Sequence, residues 1–192
     1  MTKKEKLEKL NKEMLACKKC ALRKTCTQVV PGEGSANAKI VFIGEGPGKK
    51  EDELGRPFIG AAGKFLDEML STIKLDRKTV YIANTVKCRP PKNRDPLQKE
   101  KDICWHWLER QIEIIQPQMI VTLGRHSMNL FLPHEKISEA HGKAFEKNFP
   151  GMGHQIFFAL YHPAAALYNG SMRQTLIDDF KKIPKTLRKY KN

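Results

Sequence analysis

Four short apolar runs, each stopped by a glycine or a polar cluster, constrain this chain more than any other feature. They occupy residues 39–44, 79–84, 118–123 and 155–160. Near-continuous apolar runs of this length predict strands covered on both faces. Between them lie stripes at helical spacing. Leu7, Leu10, Met14 and Leu15 mark a helix over 3–16, and Phe65, Leu66, Met69, Leu70 and Ile73 one over 61–74. Further helices are expected over 96–116, 125–132 and 171–190, the last fraying at its Lys-rich end. Residues 143–150 read as a weaker strand or hairpin, and the prolines of 89–96 exclude regular structure there. Strands alternating with helices predict an α/β fold, a three-layer sandwich whose central, mostly parallel four-stranded sheet is flanked by helices. Neither a repeat nor a linker divides residues 1–192, so one domain is expected.

The charge narrows the partners. A formal net charge of +14 with 29% charged residues suits a polyanion such as nucleic acid. The lysines are spread along the chain rather than set on one helical face, which argues against a membrane surface. No apolar run approaches the roughly 20 residues of a membrane span. The start, Met1 to Lys6, has the charge of a signal peptide's head without the apolar stretch that should follow, so the chain is expected in the cytoplasm.

Three of the expected strands run directly into polar or Gly-rich segments, at 44–48, 84–88 and 161–163. Ligands of open α/β sheets bind at the carboxyl ends of the strands, so these three segments should meet at one pocket. Gly55 to Lys64 has the look of a phosphate loop and fails its pattern, because Phe65 stands where the Ser or Thr hydroxyl belongs. Gly44, Gly46 and Gly48 likewise lack the spacing of a dinucleotide fingerprint. Their use is a backbone that a ring or phosphate can approach closely.

The cysteines form a second constellation. Cys17 and Cys20 make a C-x2-C pair, and Cys88 and Cys104 follow with 15 residues between them. Five cysteines, an odd count with no export signal, favour a metal site over disulfides. Four thiolates suit either Zn²⁺ or a [4Fe–4S] cluster, and spacing alone does not choose. Lys18, Lys19, Lys87 and Arg89 stand beside them to offset thiolate charge. Cys26 is left outside the set.

Together these segments resemble the family 4, iron–sulfur uracil-DNA glycosylases. The resemblance rests on Gly44 to Asp52 continuing through Gly55 to Gly60, on Asn84 to Pro91, on His162 to Leu167, and on the cysteine spacing. It covers the chain from about Cys17 to the last helix. It implies a [4Fe–4S] cluster on Cys17, Cys20, Cys88 and Cys104, with a structural role. It also implies a monofunctional enzyme that hydrolyses the bond between uracil and deoxyribose in DNA, releasing uracil and leaving an abasic site. His162 would donate to uracil O2 as the base leaves, and hydrogen bonds aimed at developing charge are usually the largest catalytic term. Asn84 would match the O4 and N3–H edge, where cytosine presents the reverse pattern. Phe58 would stack on the ring, and Gly44, Glu45 and Gly46 would line the floor. Gly46 stands where other uracil glycosylases place a water-positioning aspartate, which leaves Glu45 or Glu51 for that task.

A base in a duplex must be flipped out to reach such a pocket. Leu167 is the candidate wedge for the vacated stack. Lys49 and Arg89, with Lys50, Lys64, Lys92, Arg94 and Arg173, are candidate phosphate contacts. The expected partner is uracil-containing DNA, single- or double-stranded, bound by a monomer. Two rivals stand beside this. One is a superfamily relative that binds uracil-DNA covalently or without turnover; such relatives carry a basic insertion after the first motif, whereas Glu53 to Pro57 runs straight on here. The other is a non-enzymatic Fe–S DNA-binding module, which leaves Phe58, Asn84 and His162 without a task.

Overall fold

The computed structural model describes residues 1–190; the end of the Lys-rich tail, 191–192, lies outside the described residues. The chain runs α1 (Lys3–Leu15), β1 (Glu33–Gly34), β2 (Ile40–Gly44), α2 (Lys49–Leu54), α3 (Ala61–Thr72), β3 (Tyr81–Asn84) and α4 (Gln98–Ile115). It continues β4 (Met119–Leu123), α5 (Arg125–Phe131), α6 (Ile137–Ala140), β5 (Lys143–Phe149), β6 (Gly153–Leu160), α7 (Ala165–Tyr168), α8 (Met172–Lys181) and α9 (Ile183–Lys189). One six-stranded sheet has the order β1-β3-β2-β4-β6-β5. The inner strands β3, β2, β4 and β6 are parallel, and β1 and β5 are antiparallel edges.

The four expected strands are the inner four, and the sheet is wider than expected by its two edges. β5 falls on the weaker segment 143–150 and pairs with β6 as a hairpin arm. β1 has no periodicity from which to expect it. It fits only because Gly34 has no side chain: its φ is +131°, and a Cβ there would lie 2.0 Å from the Val80 carbonyl oxygen. The expected helix 171–190 is two helices meeting at Lys182. Pro184 has no N–H to donate to the preceding turn, which accounts for the break. Residues 89–96 are irregular apart from a short 3₁₀ turn over Pro91–Asn93, where Lys92 and Asn93 take left-handed φ of 54° and 56°.

Alternation along the inner strands divides the core into two layers. Val41 and Ile43 face the layer that holds Leu10, Met14, Leu108 and Ile112 of α1 and α4. Ile40 and Phe42 face the layer with Leu66, Met69 and Phe180 of α3 and α8. Phe42 stacks on Phe180 with ring centroids 5.5 Å apart. α1 is held at its start by reciprocal bonds between Thr2 and Glu5. Among the described residues no helix is long and apolar enough to cross a membrane.

β3 and β4 flank β2 on opposite sides. The chain therefore reverses its direction of travel across the sheet at β2, and a crevice opens beyond the strands' carboxyl ends. Leu66, fully buried on α3, measures how firmly this layer is packed. Leu66→Ala is expected to lower stability by about 2–5 kcal/mol, read as a lower urea midpoint with an unchanged m-value.

Candidate active site

The loops that leave β2, β3 and β6 meet around one cleft of about 420 Å³. Glu45, Gly46, Glu51, Phe58, Asn84 and His162 all line it. Gly44 lies beneath rather than on the wall. A Cβ there would sit 2.5 Å from both Asn84 Oδ1 and Phe58 Cζ, so glycine is what lets the amide and the ring close over the end of β2.

Phe58 is the most constrained member. It takes a left-handed φ of 52°, rare for a bulky residue and costing about 1–3 kcal/mol. The surroundings impose that conformation from two sides. Glu51 Oε1 accepts from the N–H groups of Ile59 (2.9 Å) and Gly60 (2.8 Å). The Arg77 guanidinium donates to the Pro57 carbonyl (2.9 Å) and to the Phe58 carbonyl, and is itself held by Asp67 at 2.6 Å. A Cβ on Gly63 would stand 1.7 Å from the Phe58 carbonyl oxygen, so the first turn of α3 must be bare there. One oxygen of Glu51 is thereby engaged in holding the loop. The Phe58 and His162 rings face each other across 5.5 Å, tilted by 31°.

Asn84 is 2% exposed, and its Oδ1 has no hydrogen-bond partner among the described residues. A buried acceptor left unpaired costs about 1–3 kcal/mol, so this oxygen is open to a donor brought into the cleft. His162 has its Nδ1 accepting from the Ala164 N–H at 3.1 Å, which leaves the ring proton on Nε2. Burial lowers the His162 pKa to about 4; Glu51 opposes the shift and His126 adds to it. The ring is therefore neutral near pH 7 and is a donor through Nε2. Gly124, at φ +92°, allows the approach, since its Cβ would stand 3.0 Å from that of His162.

Glu45 is pushed the other way. Burial and then Asp95 raise its carboxyl to about 7, against the pull of Arg125 and Lys101. Its main-chain carbonyl is fixed by the Thr85 hydroxyl (2.5 Å) and the Val86 N–H (3.1 Å). Ligand atoms of Glu45, Asp95 and His126 lie within 4.8 Å of one another. Arg125 already stands against Asp95 at 3.3 Å and His126 at 3.0 Å, and its charge opposes a bound cation.

The cysteines converge on the far side of the 84–88 loop. Cys88 and Cys104 are buried, Cys17 and Cys20 partly so. Burial and then Lys87, which opposes it, set the Cys104 thiol at about 11, with Cys20 and Cys17 raising it further. Cys88 is driven up by burial, then by Cys26, Cys104 and Cys20. Thiols that disfavour one another's ionisation form a site suited to a cationic metal group. Cys26, set aside on spacing, is beside Cys88, with Arg23 Nη1 3.7 Å from its sulfur. Lys87, between Asn84 and Cys88, is wholly buried; burial lowers its ammonium to about 8, partly offset by Cys104.

Leu167 is 49% exposed on α7 at the rim, and Lys49, Lys50 and Lys64 are exposed near the cleft mouth. Arg89 bonds to Asn93, Arg94 makes a two-pronged pair with Glu100, and Arg173 pairs with Glu68, so these three are less available than their charge suggests. Sequence reasoning misses Tyr168, which lines the cleft and is 92% exposed. Its place next to Leu167 is the signal that could have found it. Asp95 and His126 are missed as well, because nothing in one dimension brings them to Glu45.

A parallel sheet whose strand ends cradle one ring-sized cleft, with a cysteine site behind it, defines a narrow class. The profile of the Uracil DNA glycosylase superfamily matches residues 31–188. A type-4 uracil-DNA glycosylase of Archaeoglobus fulgidus is 48% identical over 184 residues, covering 93% of this chain and 92% of its own. One of Sulfurisphaera tokodaii is 48% identical over 185 residues, 93% and 84% of the two chains. A type-5 uracil-DNA glycosylase of Thermus thermophilus is 32% identical over 149 residues, 69% and 68% of the two. The chain belongs to the uracil-DNA glycosylase superfamily, among its type-4 members.

The neutral His162 tautomer is directly measurable. Imidazole ¹⁵N chemical shifts should show Nε2 protonated and Nδ1 bare from about pH 5 to about pH 8; a midpoint near the ordinary histidine value would contradict the geometry.

Proposed function

We propose that this protein hydrolyses the N-glycosidic bond of deoxyuridine in DNA, freeing uracil and leaving an abasic site. The observation that carries the proposal is the joint presence, in one cleft, of a stacking ring, an unpaired buried amide oxygen and a neutral imidazole donor. The extruded uracil lies against Phe58, and Asn84 Oδ1 accepts its N3–H. Cytosine, with a bare N3, leaves that oxygen unpaired and is rejected. As the bond from C1′ to N1 breaks, the electron pair goes to the base, and His162 Nε2–H donates to O2 of the departing anion. The Glu45 carboxylate faces the cationic sugar and takes a proton from the attacking water, a task matched to a pKa near 7. Leu167, joined by Tyr168, fills the place of the extruded base, and Lys49 and its neighbours meet phosphates.

Cys17, Cys20, Cys88 and Cys104 would hold a [4Fe–4S] cluster. Their thiols come from three separate segments and raise one another's pKa, which suits a group that binds four thiolates. When bound, the cluster supplies a cross-link between the N-terminal segment, the 84–88 loop and α4. We place the protein in the cytoplasm, where cysteines stay reduced, as a one-domain monomer over residues 1–192.

A uracil-containing oligonucleotide tests the proposal. Free uracil should appear with wild-type protein, and His162→Ala should cut the rate at least ~100-fold. A covalent adduct, or binding with no uracil released, would instead establish one of the rival readings. kcat/KM should rise with pH through about 7 as Glu45 ionises, since its raised pKa keeps it protonated below that point. Glu45→Gln should remove this limb and lower the plateau. The ligand assignment is checked by iron content: Cys26→Ser should keep its iron, and Cys88→Ser should lose it.

A further inference from the structure

Among the described residues Lys87 is the one buried lysine, 1% exposed. Its Nζ donates to the main-chain carbonyl of Asn84 at 2.9 Å and to Gln111 Oε1 on α4 at 2.7 Å. The Gln111 amide donates onward to the Tyr81 hydroxyl (2.9 Å) and the Pro31 carbonyl (2.8 Å). Both amide hydrogens are thus engaged, and Oε1 has to face the ammonium. The Lys87 N–H points the other way, to Cys104 Sγ at 3.3 Å.

This connection joins two parts of the molecule that the cleft and the cysteine site leave separate. Asn84 ends β3 and pairs with Gly44 in the last step of the β2–β3 register. The Lys87 ammonium ties the Asn84 carbonyl to Gln111 of α4. We infer that Lys87 is a positioning residue for base selection, a strut that fixes the Asn84 backbone against α4. This rests on the proposed reading of Asn84 as the residue that recognises the base.

The test uses the full chain with its iron. Lys87→Met keeps the length and removes the charge and both hydrogen bonds. The inhibition constant of free uracil should rise about tenfold. Preference for uracil over cytosine oligonucleotides should fall by a similar factor, with KM more affected than kcat and iron content retained. A lower melting temperature with unchanged uracil affinity and preference would mean a merely structural lysine and overturn the inference. Should Lys87→Met fail to fold, Gln111→Met decides, since it cuts the strut at α4. A weakening of uracil binding of at least about threefold supports the inference, and unchanged binding overturns it. Asn84→Ala separates the two levels. If it too leaves uracil binding unchanged, the reading of Asn84 fails; if it abolishes binding while Lys87→Met does nothing, the strut alone is wrong.

Discussion

Burial of the parallel strands on both faces is the constraint from which the rest follows. β2, β3 and β4 are buried at every residue. Polar chemistry has almost no place within such strands, because each unpaired group would cost about as much as a lost hydrogen bond. It collects where the strands stop. Gly44, Asn84 and His162 lie at or just beyond the carboxyl ends of β2, β3 and β6, and the reversal of strand order at β2 leaves the gap between them unfilled. The cleft is thus the complement of the core.

Position alone would leave these groups loose, and the structure tightens them through contacts outside the cleft. Phe58 is held in a left-handed conformation by Glu51 and Arg77, neither of which needs to touch a ligand. Asp52, buried on α2, accepts from the Thr27 N–H at 2.9 Å and its hydroxyl at 2.8 Å, tying the chain beyond Cys26 to the helix that follows the first glycine loop. Strain at Phe58 and the unpaired Asn84 oxygen are costs that a folded protein tolerates where the surroundings over-determine the geometry.

Much of this was legible in one dimension, for definite physical reasons. The inner strands and α1, α3 and α4 show themselves because apolar periodicity follows directly from burial. Phe58, Asn84 and His162 are legible because each stands in a motif that ends a strand or opens a helix. Tertiary facts are not. The break between α8 and α9 is foreshadowed by Pro184 and overlooked in a long apolar stripe. β1 depends on what a missing Cβ at Gly34 permits. Glu51 reads as a candidate for positioning water, but the N–H groups of Ile59 and Gly60 that hold its Oε1 are not legible in one dimension. Arg94 and Arg173 read as free cations until Glu100 and Glu68 appear beside them.

One physical effect gives the two ionisable groups of the cleft their different states. Desolvation disfavours charge on either, so it lowers His162 to about 4 and raises Glu45 to about 7. The imidazole is left neutral, so it can donate through Nε2 without bringing a charge into the cleft. The carboxyl is left near the point where it exchanges a proton with water most readily. Asp95 adds to the Glu45 shift, and Arg125 restrains it, so the loop 89–96 helps set this value from outside the cleft floor.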